Sequence, residues 1–235
     1  MTVRTLDRPP AGRLLIGLPA AAFVLLAAVV IGDDDGPIPR FDVWVSGLAH
    51  AYALAHPLWL ATMAAATVAG SAVVVGPLAA LGCVILVAVG HWRRAVFVAV
   101  ALLVTLGARL VVVTLLHRPR PADQLAPASN YSFPSGHSTA SAAAALILVL
   151  VCWPFLRRRW SRILLVAVAA VWAVTVGVSR VALVVHWPSD VVGAWLLVLV
   201  TVPGVALAIR RVPLLDDGRL RFGPGRGART DEDEQ

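Results

Sequence analysis

Two short stretches of this 235-residue chain hold most of the side chains able to do chemistry. One reads His117-Arg118-Pro119-Arg120-Pro121, followed by Phe133-Pro134-Ser135-Gly136-His137. The other reads Ser179-Arg180, then His186-Trp187-Pro188-Ser189-Asp190. Arginine forms paired hydrogen bonds to phosphate oxygens and keeps its charge. Ser135 and Gly136 precede an apolar run, so they open a helix whose free N–H groups and positive dipole end suit an anion. Gly136 also lets backbone approach an anion closely. His186 and Asp190 are four residues apart and so face the same way on a helical turn. A carboxylate on one imidazole nitrogen fixes the tautomer and leaves the other nitrogen free to attack, while His137 can serve as general acid. Together these types suit phosphoryl transfer.

The elements that position them are membrane helices. Hydrophobic residues make up 59% of the chain, charged residues only 14%, and the mean hydropathy is +0.83. A soluble domain carries about 25% charged residues. Long apolar runs in lipid must be helical, because a helix satisfies its own backbone groups. Spans are expected near 14–31, 58–90, 95–116, 137–156, 163–184 and 190–209, giving an all-α, polytopic bundle of six helices. The second run is long for one upright helix. One long span, kinked at Pro77, keeps Arg93, Arg94, Arg157–Arg159, Arg162, Arg210 and Arg211 on the side of Arg4, Arg8 and Arg13, as the positive-inside rule requires. Residues 41–56 are expected to form a short interfacial helix. The first run lacks a small-residue cleavage site, which makes it a retained helix rather than a signal peptide.

This arrangement puts both termini in the cytoplasm and the chemical residues on the extracytoplasmic side, at the ends of the last four spans. Residues 1–13 form a cytoplasmic N-terminus, 14–211 the membrane domain, and 212–235 a polar, disordered tail.

The stretch Arg120-Pro121, Pro134-Ser135-Gly136-His137 and Ser179-Arg180-(five residues)-His186-(three residues)-Asp190 resembles the type-2 phosphatidic acid phosphatase superfamily. The resemblance spans residues 113–190, and the six-helix layout extends it over most of the chain. It implies His186 as nucleophile, Asp190 as its orienting partner and His137 as general acid. It further implies Arg120, Arg180, Ser135 and Gly136 as the phosphate cradle, no metal and no cofactor. The implied activity is hydrolysis of a lipid phosphate or diphosphate through a phosphohistidine. Candidate substrates are polyprenyl diphosphate, phosphatidic acid and phosphatidylglycerol phosphate.

One position departs from the family. Its first motif begins with a lysine seven residues before the arginine of Arg120-Pro121, where this chain has Val113. Counting from Arg118 gives Val111, so neither register restores the lysine. Arg109 lies one turn before Val113 on the same face, about 6 Å deeper at 1.5 Å per residue. Its long side chain can reach up to supply the missing charge, or it can be a packing arginine bonded to a carbonyl. Arg118 is either a headgroup contact or a loop charge.

Other features have simpler readings. The net charge of +7 is all arginine and follows topology, which leaves no role for nucleic acid. Cys83 and Cys152 are expected to be free buried thiols. His117 is a spacer, and His50, His56 and His91 are structural. Trp44, Trp59, Trp92, Trp153, Trp160 and Trp187 form the aromatic belt of the membrane interfaces. The expected partners are the bilayer and a lipid phosphate. Phosphoryl transfer to another acceptor, a vanadate-dependent haloperoxidase and a non-catalytic lipid-phosphate binder or transporter stand as competing functions.

Overall fold

The computed structural model of the chain describes residues 11–33 and 35–210. Eight α-helices follow one another: α1 (Ala11–Gly32), α2 (Pro37–Ala55), α3 (Pro57–Val68), α4 (Ala72–Ala88), α5 (Trp92–Leu116), α6 (Gly136–Cys152), α7 (Arg159–Ala182) and α8 (Pro188–Arg210). Among the described residues all regular structure is helical. The expected tail 212–235 and most of the expected N-terminus 1–13 lie outside the described residues.

Five helical segments are long and apolar enough to cross a membrane: Pro57–Ala88, Trp92–Leu116, Gly136–Phe155, Arg159–Ala182 and Pro188–Ile209. α1 and α2, whose axes bend by 78°, make a sixth only when the bent pair is counted as one span. The six-span expectation therefore holds in outline, with two corrections. The long second run is interrupted at residues 69–71, while Pro77 lies inside α4. The reason is packing. A Cβ on Gly70 would sit 2.3 Å from Val176 Cγ1 and 3.3 Å from the His137 carbonyl oxygen, so this turn presses against α6 and α7 where only glycine fits. The helix expected over 41–56 also begins at Pro37 rather than 41, since proline is pre-set for the first helical position.

Burial is inverted relative to a soluble protein. Large apolar side chains such as Leu103, Leu115, Leu164 and Val171 face outward. The buried face of α6 runs Ser138, Thr139, Ala140, Ser141, Ala142 and Ala143. Without a hydrophobic drive between helices in lipid, small residues bring backbones into van der Waals contact. The central core joins α5 (Phe97, Ala101, Leu102), α6 (Ala143, Ile147) and α8 (Val198, Val202, Ile209). The Thr105 and Thr201 hydroxyls, 2.7 Å apart, tie α5 to α8. Cys83 and Cys152 are free thiols, half-buried rather than enclosed.

The two ends of the bundle differ in character. At one end the Arg94 guanidinium lies 4.2 Å over the Phe155 ring, and Arg162 lies 5.0 Å over Trp153. This gathers the start of α5, the end of α6 and the start of α7. The opposite end receives the α5–α6 loop, the start of α6 and the α7–α8 turn, which carry the chemical residues.

Candidate active site

The motif segments are pinned to one another before any side chain acts. The Ser135 N–H donates to the Asp190 carbonyl (3.1 Å), Leu125 to Leu183 (3.0 Å) and Ser132 to Arg118 (2.9 Å). The Trp187 indole N–H donates to the Pro119 carbonyl at 2.9 Å. Phe133 is fully buried against α8, where a Cβ on Gly193 would stand 2.4 Å from its ring. Glycine at 193 thus lets the Phe133–Gly136 segment seat directly on α8.

These ties shape a cavity of about 450 Å³ lined by Arg109, Arg120, Gly136, His137, Arg180 and His186, together with Gly70, Asn130 and small or apolar neighbours. Three guanidiniums and two imidazoles share this cavity, and its lining includes no carboxylate. So much positive charge beside a membrane needs a counter-charge. A cavity of this composition fits an anion.

His186 is 2% exposed. Its Nδ1 lies 3.2 Å from Asp190 Oδ2, and Asp190 also accepts the Trp187 backbone N–H at 2.9 Å. A carboxylate can only accept, so Nδ1 carries the proton and Nε2 presents its lone pair. That lone pair faces Arg120 Nη1 at 3.0 Å. Burial pushes the His186 imidazole down from its ordinary value to about 4, against the hydrogen bond and charge of Asp190, with Arg120 and Arg180 pushing the same way as burial. His186 is therefore neutral near pH 7.

The arginines differ in how far they are committed. Arg120 uses all five donors, on the carbonyls of Ser129, Asn130, Tyr131 and Val185 and on His186. Burial pushes its guanidinium below the ordinary range; Asp190 opposes this and Arg109 adds to it. Arg180 donates to Thr67 Oγ1 at 2.7 Å, while its buried Nε has no partner. Arg109 donates from Nε to the Pro134 carbonyl at 3.2 Å. A Cβ on Gly136 would lie 3.3 Å from Arg109 Cζ, so the missing side chain at 136 makes room for this guanidinium over the start of α6.

Two of the expected phosphate contacts sit elsewhere. Ser135 is fully buried and caps α6, accepting from the Ser138 N–H at 3.5 Å and the Ser138 hydroxyl at 2.9 Å. Its side chain is engaged in ordering the helix start and lies outside the cavity lining. Arg118 turns inward, buried between two carboxylates. Its Nη1 donates to Asp190 Oδ1 at 2.6 Å and to Ser189 Oγ at 2.8 Å, and its Nη2 to Asp42 Oδ2 at 2.8 Å. His117 stands apart, edge-on to Tyr131 at 4.5 Å, in keeping with a spacer. Val113 is 2% exposed and packed away from the cavity lining.

Asp42 was not foreseen. It is 1% exposed and also accepts the Ser189 backbone N–H at 3.0 Å and the Ser189 hydroxyl. Its position as the one carboxylate on α2, beside outward-facing Phe41, Val43 and Trp44, is the signal that could have marked it, since an ionisable group there needs a partner.

Comparison with known proteins matches the PAP2 superfamily model to residues 95–212, just over half of the chain. The chain belongs to the PAP2 superfamily. All of the motif residues named above fall inside that PAP2 match. Among curated relatives, phosphatidylglycerophosphatase B of Escherichia coli K12 is 44% identical over 69 residues, which cover 29% of this chain and 25% of the relative. Undecaprenyl-diphosphatase of Sulfolobus acidocaldarius is 38% identical over 84 residues, covering 36% of this chain and 33% of the relative. The chain thus matches between a quarter and a third of the length of these relatives. The fold matches more widely. A crystal structure from Bacillus subtilis, described as the first transmembrane PAP2-type phosphatidylglycerolphosphate phosphatase, superposes with a TM-score of 0.70 at 26% identity, covering 83% of this chain and 98% of that one.

Proposed function

We propose that this membrane protein hydrolyses a phosphate or diphosphate ester on a lipid, through a phosphohistidine at His186. The observation that supports this reading best is the carboxylate-free cavity, where Arg109, Arg120 and Arg180 surround His137 and a His186 held neutral. The names of the relatives support phosphatidylglycerol phosphate and undecaprenyl diphosphate as substrates to test first.

In this reading the phosphate enters among the three guanidiniums. It takes the unpartnered Arg180 Nε and draws Arg120 Nη1 away from His186. Nε2 is then free to attack phosphorus. The P–Nε2 bond forms as the bond to the lipid oxygen breaks, and His137 gives its proton to that oxygen. Water then attacks phosphorus, His137 takes a proton back, and the P–Nε2 bond breaks to release inorganic phosphate. Asp190 on Nδ1 stabilises the imidazolium-like state in between. The arginines and the start of α6 carry the phosphate charge, so no metal has a task.

Arg109 takes the place of the family lysine. It approaches Gly136 from α5, the helix on which that lysine would stand, and it explains why Val113 can be apolar. By the positive-inside rule the cavity opens on the extracytoplasmic side, opposite Arg93, Arg94 and Arg157–Arg162.

The test is phosphate release in detergent, with EDTA present, from phosphatidylglycerol phosphate, polyprenyl diphosphate and phosphatidic acid. Release from at least one of them supports the reading. A folded protein that binds these lipids and releases nothing would sink it.

A further inference from the structure

We infer that Asp42, on α2, is a positioning residue for the nucleophile: it shares Arg118 with Asp190 and so keeps a net negative charge behind His186. This rests on the reading of His186 as nucleophile.

The geometry is a chain of four side chains, each at most 6% exposed. His186 Nδ1 meets Asp190, Asp190 meets Arg118 Nη1, and Arg118 Nη2 meets Asp42. Ser189 closes a second route, accepting from Arg118 and donating backbone and side-chain protons to Asp42. Two carboxylates and one guanidinium leave one net negative charge. Were Arg118 paired with Asp190 alone, the unit behind the imidazole would be neutral.

That difference matters only once His186 becomes positive, as it does on bonding to phosphorus. The other groups facing His186 from neighbouring elements are Arg120 of the α5–α6 loop, Arg180 of α7, Arg109 of α5 and His137 of α6. None of these supplies negative charge. His117 shares with Asp42 and Arg118 a separate cavity of about 440 Å³ beneath α1 and α2. The negative end of the site therefore comes from Asp190 and Asp42 together. Desolvated as they are, their field is little screened. The inward face of α2 carries only Pro39, Ser46 and Ala53 besides Asp42, and a buried aspartate among them has no packing purpose that an apolar residue would not serve better.

Asp42→Asn removes the charge at nearly constant volume. The expected result is a fall in kcat of about tenfold, the factor that corresponds to about 1.4 kcal/mol of lost stabilisation of the charged imidazole. KM should change little. The acid limb of kcat/KM, measured against parent on one substrate, should move to lower pH, because His186 has lost a negative neighbour. Asp42→Asn/Arg118→Gln removes one charge of each sign and restores the net negative unit, so its acid limb should return toward that of the parent. This second variant also serves if the single one folds poorly. An unchanged acid limb and unchanged kcat per folded molecule in Asp42→Asn, or a double variant whose limb stays displaced, would overturn the inference and leave Asp42 a structural tie for α2. A failure of the underlying reading is seen separately, as turnover by His186→Ala.

Discussion

Replacing Arg109 with alanine isolates the change that sets this chain apart from its family pattern. The guanidinium carbon lies within 3.3 Å of the position a Gly136 Cβ would occupy, and its Nε is already bonded to Pro134. A phosphate seated at the start of α6 would gain a hydrogen bond to a charged donor, worth about 1.5–3 kcal/mol. At about 1.4 kcal/mol per factor of ten, its loss lowers kcat/KM by about 10- to 150-fold. Stability should respond differently. The variant loses one bond to a carbonyl, of about 1 kcal/mol, but relieves the repulsion by which Arg109 acts on Arg120. The unfolding midpoint in detergent should therefore hold or rise while catalysis falls. The assay is initial-rate phosphate release over a range of lipid concentrations, paired with a thermal melt. Arg109→Ala with kcat/KM within twofold of the parent would refute the substitution of arginine for the family lysine.

Three further outcomes are expected. Arg118→Met leaves Asp42 and Asp190 buried without their shared cation, at a cost of about 3–5 kcal/mol, and should lower the melting midpoint as well as the rate. Gly193→Ala places a methyl 2.4 Å from the Phe133 ring and should displace the Pro134–Gly136 segment, cutting activity with the bundle still helical by circular dichroism. Because burial holds the His186 pKa near 4 in the folded protein against about 6.5 in an unfolded chain, the unfolded state binds the extra proton between these values. Stability should thus fall as pH drops from 6.5 to 4, and His186→Gln should flatten that part of a melting-midpoint profile.

What the sequence revealed depended on how local each signal was. Most of the membrane helices could be read because apolar runs must be helical in lipid. The motif residues could be read because their spacing already encodes the turn between α7 and α8 and the capped start of α6. The break at residues 69–71 was hidden, since it answers to Val176 and His137, two distant contacts of Gly70. Pro77 was the stronger local cue and gave the wrong position. Arg118 and Ser135 lie in the right segments, but which way each side chain turns depends on Asp42 and Ser138, and Asp42 arrives from a helix 147 residues before Ser189. Arg109 shares a helix face with Val113, so its place near the start of α6 followed from helix geometry, and its bond to the Pro134 carbonyl is the contact the packing alternative expected.

The role of His186 as the nucleophile of a lipid phosphatase is tested by one paired measurement. Phosphate release in EDTA is followed for the parent and for His186→Ala, both shown to be folded by their melting curves. The parent should release phosphate from at least one lipid phosphate or diphosphate, and the variant none above background. Release by His186→Ala at the parent's rate would contradict it.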